Sequence, residues 1–319
     1  MRPEDFTKLA DDVEAELLHG AMSVAILGAT PTALRLLERL ASTGLDRCVH
    51  GIYTATPPAA ALHAPTRSLE DLVDHPIDVI AVAADADKED LLTGALPFIQ
   101  GAPKVVVAGY GHLAYRDPGY RQELDDLLVP SLANGYPNSL VHLHQCLTNA
   151  ALLGLQGVVA EFGMFKGGTT MFLSRTIERL GADWPVIGFD TFAGFPARRS
   201  PLDMYDHPDC VFTDIDSVRR YLAHRRVEIV PGDIAATASR LASEDLVCTF
   251  IDTDNYTPAS AAVTVVQERT LVGGAIVFDH VTGVDRFRYT LGERMAARPL
   301  LSDSRYFHLH GTGVFYRQR

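Results

Sequence analysis

The chain reads as an α/β protein. It predicts a doubly wound, Rossmann-like sheet in the C-terminal half, mostly parallel with an antiparallel edge hairpin, preceded by a smaller Rossmann-like α/β domain. Three observations carry this. Short apolar runs alternate with stretches of helical periodicity along the 319 residues, the pattern of parallel strands joined by helical crossovers. Near residue 160 one such run opens into Glu161-Phe162-Gly163-Met164-Phe165-Lys166-Gly167-Gly168-Thr169-Thr170, a strand entering a glycine-rich turn and then a helix. The last two runs, 306–309 and 314–316, flank His310-Gly311-Thr312-Gly313, as an antiparallel hairpin does.

Phe6, Leu9, Val13, Leu17 and Leu18 recur at helical spacing, so residues 1–20 predict one amphipathic helix whose apolar stripe needs a partner surface. Residues 21–117 form the small α/β domain, with strands at 23–27, 48–53, 79–83 and 104–107 and a helix at 32–41. From 118 to 157 the pattern turns helical through Leu124, Leu127, Leu128, Leu140, Leu143, Leu147 and Leu152. The polar turn Asn134-Gly135-Tyr136-Pro137-Asn138 interrupts it, and the stretch reads as a helical bridge and lid base. Residues 158–319 alternate again, with strands at 158–160, 186–189, 227–230, 246–251 and 275–278 before the hairpin, and Gly273-Gly274 as a turn.

Composition narrows the function classes. Hydrophobic residues at 47% and charged residues at 21% are those of a globular protein, while a net charge of −12 opposes binding to nucleic acid or an anionic membrane. Cys48, Cys146, Cys210 and Cys248 lack CxxC spacing, which predicts free thiols in a reducing compartment. The acidic start and the lack of any run long enough to span a bilayer add the expectation of a soluble, cytoplasmic protein.

Gly163, Gly167 and Gly168 let backbone amides approach a ligand, although a tight turn with nothing bound explains the glycines equally well. Asp190 adds to them: it ends the next strand, where a carboxylate accepts hydrogen bonds from both hydroxyls of a ribose. Asp233, in Pro231-Gly232-Asp233-Ile234, ends the third strand, within reach of an exocyclic adenine amine. Acids at successive tips repel a pyrophosphate and suit a cation, so the pattern favours S-adenosylmethionine over NAD.

A second cluster supplies reactive groups. The run 246–251 delivers Asp252-Thr253-Asp254-Asn255-Tyr256, and the next strand ends in Asp279-His280. Asp252 and Asp254, alternate residues, share a direction only if both are extended. Carboxylates at adjacent tips, roughly 5 Å apart, can meet around one divalent cation; oxygen donors suit Mg²⁺, and the imidazole admits Mn²⁺. The alternative is that Asp252 and Asp279 cap the helices that follow.

These residues resemble the macrocin O-methyltransferase family, class I S-adenosylmethionine-dependent enzymes that methylate hydroxyls of sugars and other secondary metabolites. The family block E-C-G-V-W-[RK]-G-G-S stands here as 161–169, and Y-D-T-F-E-G-[FM]-P as Phe189-Asp190-Thr191-Phe192-Ala193-Gly194-Phe195-Pro196. I-D-x-D-x-Y followed by D-D appears as Ile251-Asp252-Thr253-Asp254-Asn255-Tyr256 and Asp279-His280, and the resemblance covers roughly 138–285. It implies a methyl donor held by Glu161, Gly163, Lys166, Gly167, Gly168, Thr169, Asp190, Thr191, Asp233 and Asp252. It further implies a magnesium ion on Asp252 and Asp279 and a proton acceptor at Asp254. His280 stands where the family has its second aspartate, open to three roles: metal ligand, shifter of metal preference, or the base itself.

The N-terminal domain lies outside the resemblance. Gly28-Ala29-Thr30-Pro31-Thr32-Ala33 keeps one glycine of GxGxxG, and the second strand ends in Tyr53-Thr54 with no acid for a ribose, so a scaffold or dimerisation role is favoured over NAD binding. The function expected is therefore methyl transfer from S-adenosylmethionine, metal-assisted, to a hydroxyl of a small natural-product or sugar acceptor, as in antibiotic biosynthesis. Alternatives are methylation of an amine, a nicotinamide-dependent oxidoreductase and a silent binding protein. Residues 197–217 read as an active-site lid in which Arg198 and Arg199 are solvated or meet an acidic substrate group, and the N-terminal helix makes a homodimer plausible.

Overall fold

The computed structural model describes residues 1–55, 65–134, 138–282 and 287–319; the centre of the predicted polar turn, 135–137, lies outside them. The chain divides into two compact units, Met1–Tyr115 and Arg116–Arg319.

In the first unit, strands β1 (Val24–Leu27), β2 (Val49–Thr54), β3 (Thr66–Ser68), β4 (Val79–Val82) and β5 (Lys104–Val107) form a parallel sheet in the order β3-β2-β1-β4-β5. Helices α1 (Pro3–Leu18), α2 (Pro31–Ser42) and α3 (Lys88–Ala95) accompany it. The stripe of α1 is covered: Leu9, Ala10, Val13 and Leu17 are buried with Val24, Ile26, Val79 and Ala81. Each of the leucine, valine and isoleucine side chains contributes about 1.5–3 kcal/mol on burial. Leu18, the last residue of the stripe, stays 75% exposed. On the opposite face Leu27, Tyr53, Leu69, Ile80, Val82 and Ala95 pack together. Strand β3 was not legible in advance, because Thr66-Arg67-Ser68 is a short polar edge without an apolar run.

In the second unit, helices α4 (Pro118–Asp125) and α5 (Ser139–Leu152) precede strand β6 (Val158–Phe162) and helix α6 (Gly168–Arg179). There follow β7 (Val186–Asp190), α7 (Ile215–Tyr221), β8 (Val227–Pro231), α8 (Ile234–Thr237), β9 (Leu246–Ile251), α9 (Tyr256–Arg269), β10 (Thr270–Phe278), α10 (Phe287–Ser302), β11 (Tyr306–His308) and β12 (Val314–Arg317). The sheet runs β11-β12-β10-β9-β6-β7-β8, parallel from β10 to β8, with β12 antiparallel to both β10 and β11. The doubly wound plan and the antiparallel edge expected from the sequence are present. Gly273 and Gly274 are not a turn before the strand: they lie within β10, where a register shift against β9 absorbs them.

Phe162 and Phe189, on adjacent strands, stack at 4.6 Å between centroids and are wholly buried with Phe278, Ala259 and Val263. Helix α4 is held to α6 by Glu123, nearly inaccessible, whose carboxylate accepts from Arg175 Nε at 2.5 Å and from Arg179 Nε at 2.9 Å. The strand order reverses between β6 and β9, and a crevice opens outside the carboxyl ends of such strands.

Candidate active site at the carboxyl edge of the second sheet

A cavity of about 510 Å³ lies at this edge. Its walls come from residues 129–132, the β6–α6 turn, the tips of β7 to β10 and the loop after β7. Of the site residues expected from the sequence, Gly163, Lys166, Gly168, Thr169, Asp190, Thr191, Asp233, Asp252, Asp254, Asp279 and His280 line it. Glu161 and Gly167 do not: Glu161 is wholly buried, and Gly167 caps α6.

On the glycine-rich side, φ at Gly163 is +98°, and a Cβ there would collide with the carbonyl oxygen of Asp252. Only glycine lets the tips of β6 and β9 come this close. Asp190 Oδ2 accepts from the Phe165 N–H and Oδ1 from the Phe192 N–H, both at 2.8 Å, so this carboxylate shapes the turn and keeps lone pairs for a ligand. Burial raises its pKa despite these bonds. Thr191 Oγ1 donates to the Gly194 carbonyl at 2.6 Å. Thr169 Oγ1 lies 2.7 Å from Ser131 Oγ, joining α6 to the 129–132 segment. The Lys166 ammonium sits over the rings of Phe165 and Phe212, 4.7 and 5.4 Å from their centroids.

Two expectations change here. Glu161 lies beneath the turn instead of at a tip: Thr170 Oγ1 donates to its Oε2 at 2.5 Å, and Oε1 is buried without a partner. Burial, reinforced by Asp252 and Asp190, pushes this carboxyl up to about 8. Asp233 is engaged by Arg199, whose Nη1 and Nη2 donate to it at 2.6 and 3.0 Å, and it caps α8 through the Ala235 N–H at 3.0 Å. Arg199 is thus neither simply solvated nor free for a substrate anion. An adenine amine at Asp233 would have to share it with this guanidinium.

At the tips of β9 and β10, His280 Nε2 faces Asp254 Oδ1 at 2.9 Å, Asp279 Oδ2 at 3.3 Å and Asp252 Oδ1 at 3.4 Å. Asp252, Asp254 and His280 each offer a ligand atom within 4.8 Å of the others. Asp252 and Asp254 come together without both being extended, because Asp254 is left-handed at φ +59°. Asp252 does not cap α9, whose capping position is Asn255, and Asp279 lies eight residues before the start of α10. Burial opposes a charged imidazole at His280, but hydrogen bonds to Asp252 and Asp254 and the nearby Glu293 outweigh it and raise its pKa far above the usual range.

Residues that no local motif announced complete the site. Glu293 of α10 is wholly buried and accepts backbone N–H bonds from both strand tips. Asp203 accepts from the N–H groups of Arg199, Ser200 and Thr257, and Asn255 exchanges two 2.9 Å bonds with the Tyr205 backbone. The first part of the predicted lid is therefore tied to the start of α9.

Residues 129–318 match the macrocin-O-methyltransferase (TylF) family. No curated protein matches the chain. Solved structures similar to it include the O-methyltransferase NovP, 21% identical over 56% of this chain and 78% of that one, with a TM-score of 0.46. CalS11, a calicheamicin methyltransferase, is 19% identical over 64% of this chain and 94% of its own, with a TM-score of 0.43. The SAH-bound methyltransferase PaMTH1 of Podospora anserina is 11% identical over 64% and 89%, with a TM-score of 0.40. The family match spans more than half of the chain and takes in every site residue described above, and the chain belongs to the macrocin-O-methyltransferase (TylF) family of S-adenosylmethionine-dependent O-methyltransferases.

Proposed function

We propose that the cavity holds S-adenosylmethionine along the β6–α6 turn and the β7 tip, and a hydroxyl of a small natural-product or sugar acceptor beside Asp254 and His280. The observation that carries this is the meeting of Asp252, Asp254, Asp279 and His280 on one wall of the cavity whose other wall is the glycine turn. The donor suits these residues: Gly163 and Gly168 let the chain close tightly around the turn that lines the cavity, Asp190 retains acceptor capacity for a ribose, and acids surround the space a sulfonium would enter. A divalent cation suits them too, since two carboxylate oxygens and an imidazole nitrogen converge within 4.8 Å with Asp279 beside them. Several carboxylates around one imidazole leave excess negative charge that a cation relieves. Asp252, Asp279 and His280 would hold it, and it would supply acidification and orientation of a hydroxyl, most usefully one of a vicinal pair.

Methyl transfer from a sulfonium is an in-line displacement, so the chain must align the acceptor oxygen and remove its proton. Asp254 takes that proton in this reading. His280 Nε2 would ligate the cation only when deprotonated; without a cation the same nitrogen, turned toward acids on three sides, donates to Asp254 at 2.9 Å and holds that carboxylate in place. Val129, Pro130, Leu132 and the ring of Phe195 add apolar surface to the cavity lining.

Calorimetry with S-adenosylmethionine, followed by transfer of labelled methyl to a panel of glycosides and catechols, tests this. Asp254→Asn is expected to keep donor affinity within threefold and to lower kcat by about 10³, the usual range for losing a general base. Stripping divalent ions is expected to lower turnover and Mg²⁺ or Mn²⁺ to restore it. Failure to take up the donor would end the whole reading; full activity in Asp254→Asn would end the assignment of the base.

A further inference from the structure

Glu293 has no place in the chemistry just described, yet it is wholly inaccessible and sits under the reactive tips. Its Oε2 accepts from the N–H groups of Thr253 at 2.9 Å and Asp254 at 3.0 Å. Its Oε1 accepts from the His280 N–H at 3.0 Å. One carboxylate from α10 thus clasps the end of β9 and the end of β10 at once. Two successive N–H groups aimed at one oxygen form an anion nest, a geometry that the left-handed φ of +59° at Asp254 produces. A left-handed aspartate costs about 1–3 kcal/mol and persists only where its surroundings hold it. The carboxyl that holds it is that of Glu293.

We propose that Glu293 is a positioning residue for methyl transfer: it fixes Asp254 in its left-handed conformation and sets the His280 ring against the three aspartates. It touches no substrate. Its effect runs through the backbone of the two tips, so its loss should loosen the 2.9 Å contact between Asp254 and His280 without disturbing the β6–α6 turn, to which it makes no hydrogen bond among the described residues. A neutral amide of the same shape satisfies only one side, because its carbonyl can accept from one tip while its NH₂ opposes the N–H of the other.

This inference rests on the proposed assignment of the cavity to methyl transfer, and the experiment separates the two. Wild type, Glu293→Gln and Glu293→Asp are compared by S-adenosylmethionine calorimetry, thermal unfolding and steady-state transfer to the best acceptor of the panel. Glu293→Gln is expected to bind the donor within threefold of wild type, with kcat down 30- to 300-fold and donor KM nearly unchanged. Glu293→Asp, one methylene short, is expected to recover no more than a tenth of the lost kcat despite its charge. Unchanged kcat in Glu293→Gln overturns the proposal. So does loss of donor binding in step with turnover, since that marks a role in folding alone. A wild type that transfers no methyl group removes the functional reading itself.

Discussion

In the first sheet β1 is followed by Gly28, with φ of +102°, and in the second β6 is followed by Gly163, with φ of +98°; each glycine opens the crossover beside the strand at which its sheet order reverses. What fills the space above them differs. A Cβ on Gly28 would meet the Leu91 side chain at 3.2 Å and the Ala84 methyl at 3.5 Å, whereas one on Gly163 would strike the Asp252 backbone. Around Gly28, Thr30 caps α2 and donates to the Ala83 carbonyl at 2.5 Å, and the buried Lys88 ammonium faces Asp85 at 3.4 Å. Around Gly163 stand Asp190, Asp252, Asp254, Asp279 and His280, with a cavity between them. Two doubly wound sheets of one plan therefore teach that the fold supplies the edge and the tip residues decide whether chemistry is done there.

The sharpest break in this comparison is alanine at the two equivalent turns. Gly28→Ala meets a left-handed backbone, but its tightest neighbour is the flexible Leu91 side chain while the Ala84 methyl and the Ala83 backbone stand at ordinary contact distance, and it should cost about 1–3 kcal/mol with no change in donor affinity. Gly163→Ala meets the same backbone strain and a carbonyl that cannot move without dragging Asp252 along. It should lower donor affinity more than a hundredfold and cost more stability than Gly28→Ala. Denaturant unfolding and calorimetry on both variants read the difference, and equal effects would erase the distinction between the two turns.

A smaller effect comes from Glu161, whose burial sets its carboxyl at about 8 in the folded chain against an ordinary value of 4.5. Between those limits the native state keeps a proton that the unfolded chain gives up. The contribution is full below about pH 4.5 and is lost as pH rises toward 8, at up to about 1.4 kcal/mol per pH unit. Glu161→Gln removes this dependence, so unfolding free energies at pH 5 and pH 8 should lie closer together in the variant than in wild type. An identical slope in both would place the titrating group elsewhere.

The same pair of sheets shows what a sequence discloses. Apolar runs marked nearly every strand, and the spacing of acids after them placed Asp190, Asp252, Asp254, Asp279 and His280 at tips, because position along a strand fixes which end a residue reaches. Strand β3 escaped, being polar and three residues long. Glu161, which the resemblance implies as a donor contact, is wholly buried and bonded to Thr170; alternation gives the face of a strand and not its depth. Glu293, Asp203 and Asn255 escaped for another reason: each acts on backbone N–H or C=O groups far along the chain, and no periodicity records which distant main-chain group a side chain will meet.

The pairing of Arg199 with Asp233 belongs with these, and it yields the smallest effect. Both side chains are partly exposed, 42% and 33%, so the two-pronged ion pair contributes only about 0.2–1 kcal/mol to stability. Its consequence lies at the β8 tip. The guanidinium holds the Asp233 carboxyl below the usual range and occupies both of its oxygens. If the adenine amine of the donor also reaches Asp233, Arg199→Ala frees an acceptor and should tighten the donor two- to fivefold while unfolding free energy shifts by less than about 1 kcal/mol. Should Arg199→Ala instead weaken the donor, the ion pair serves to anchor the loop after β7 over the cavity, and Asp233 acts through that loop rather than on the base.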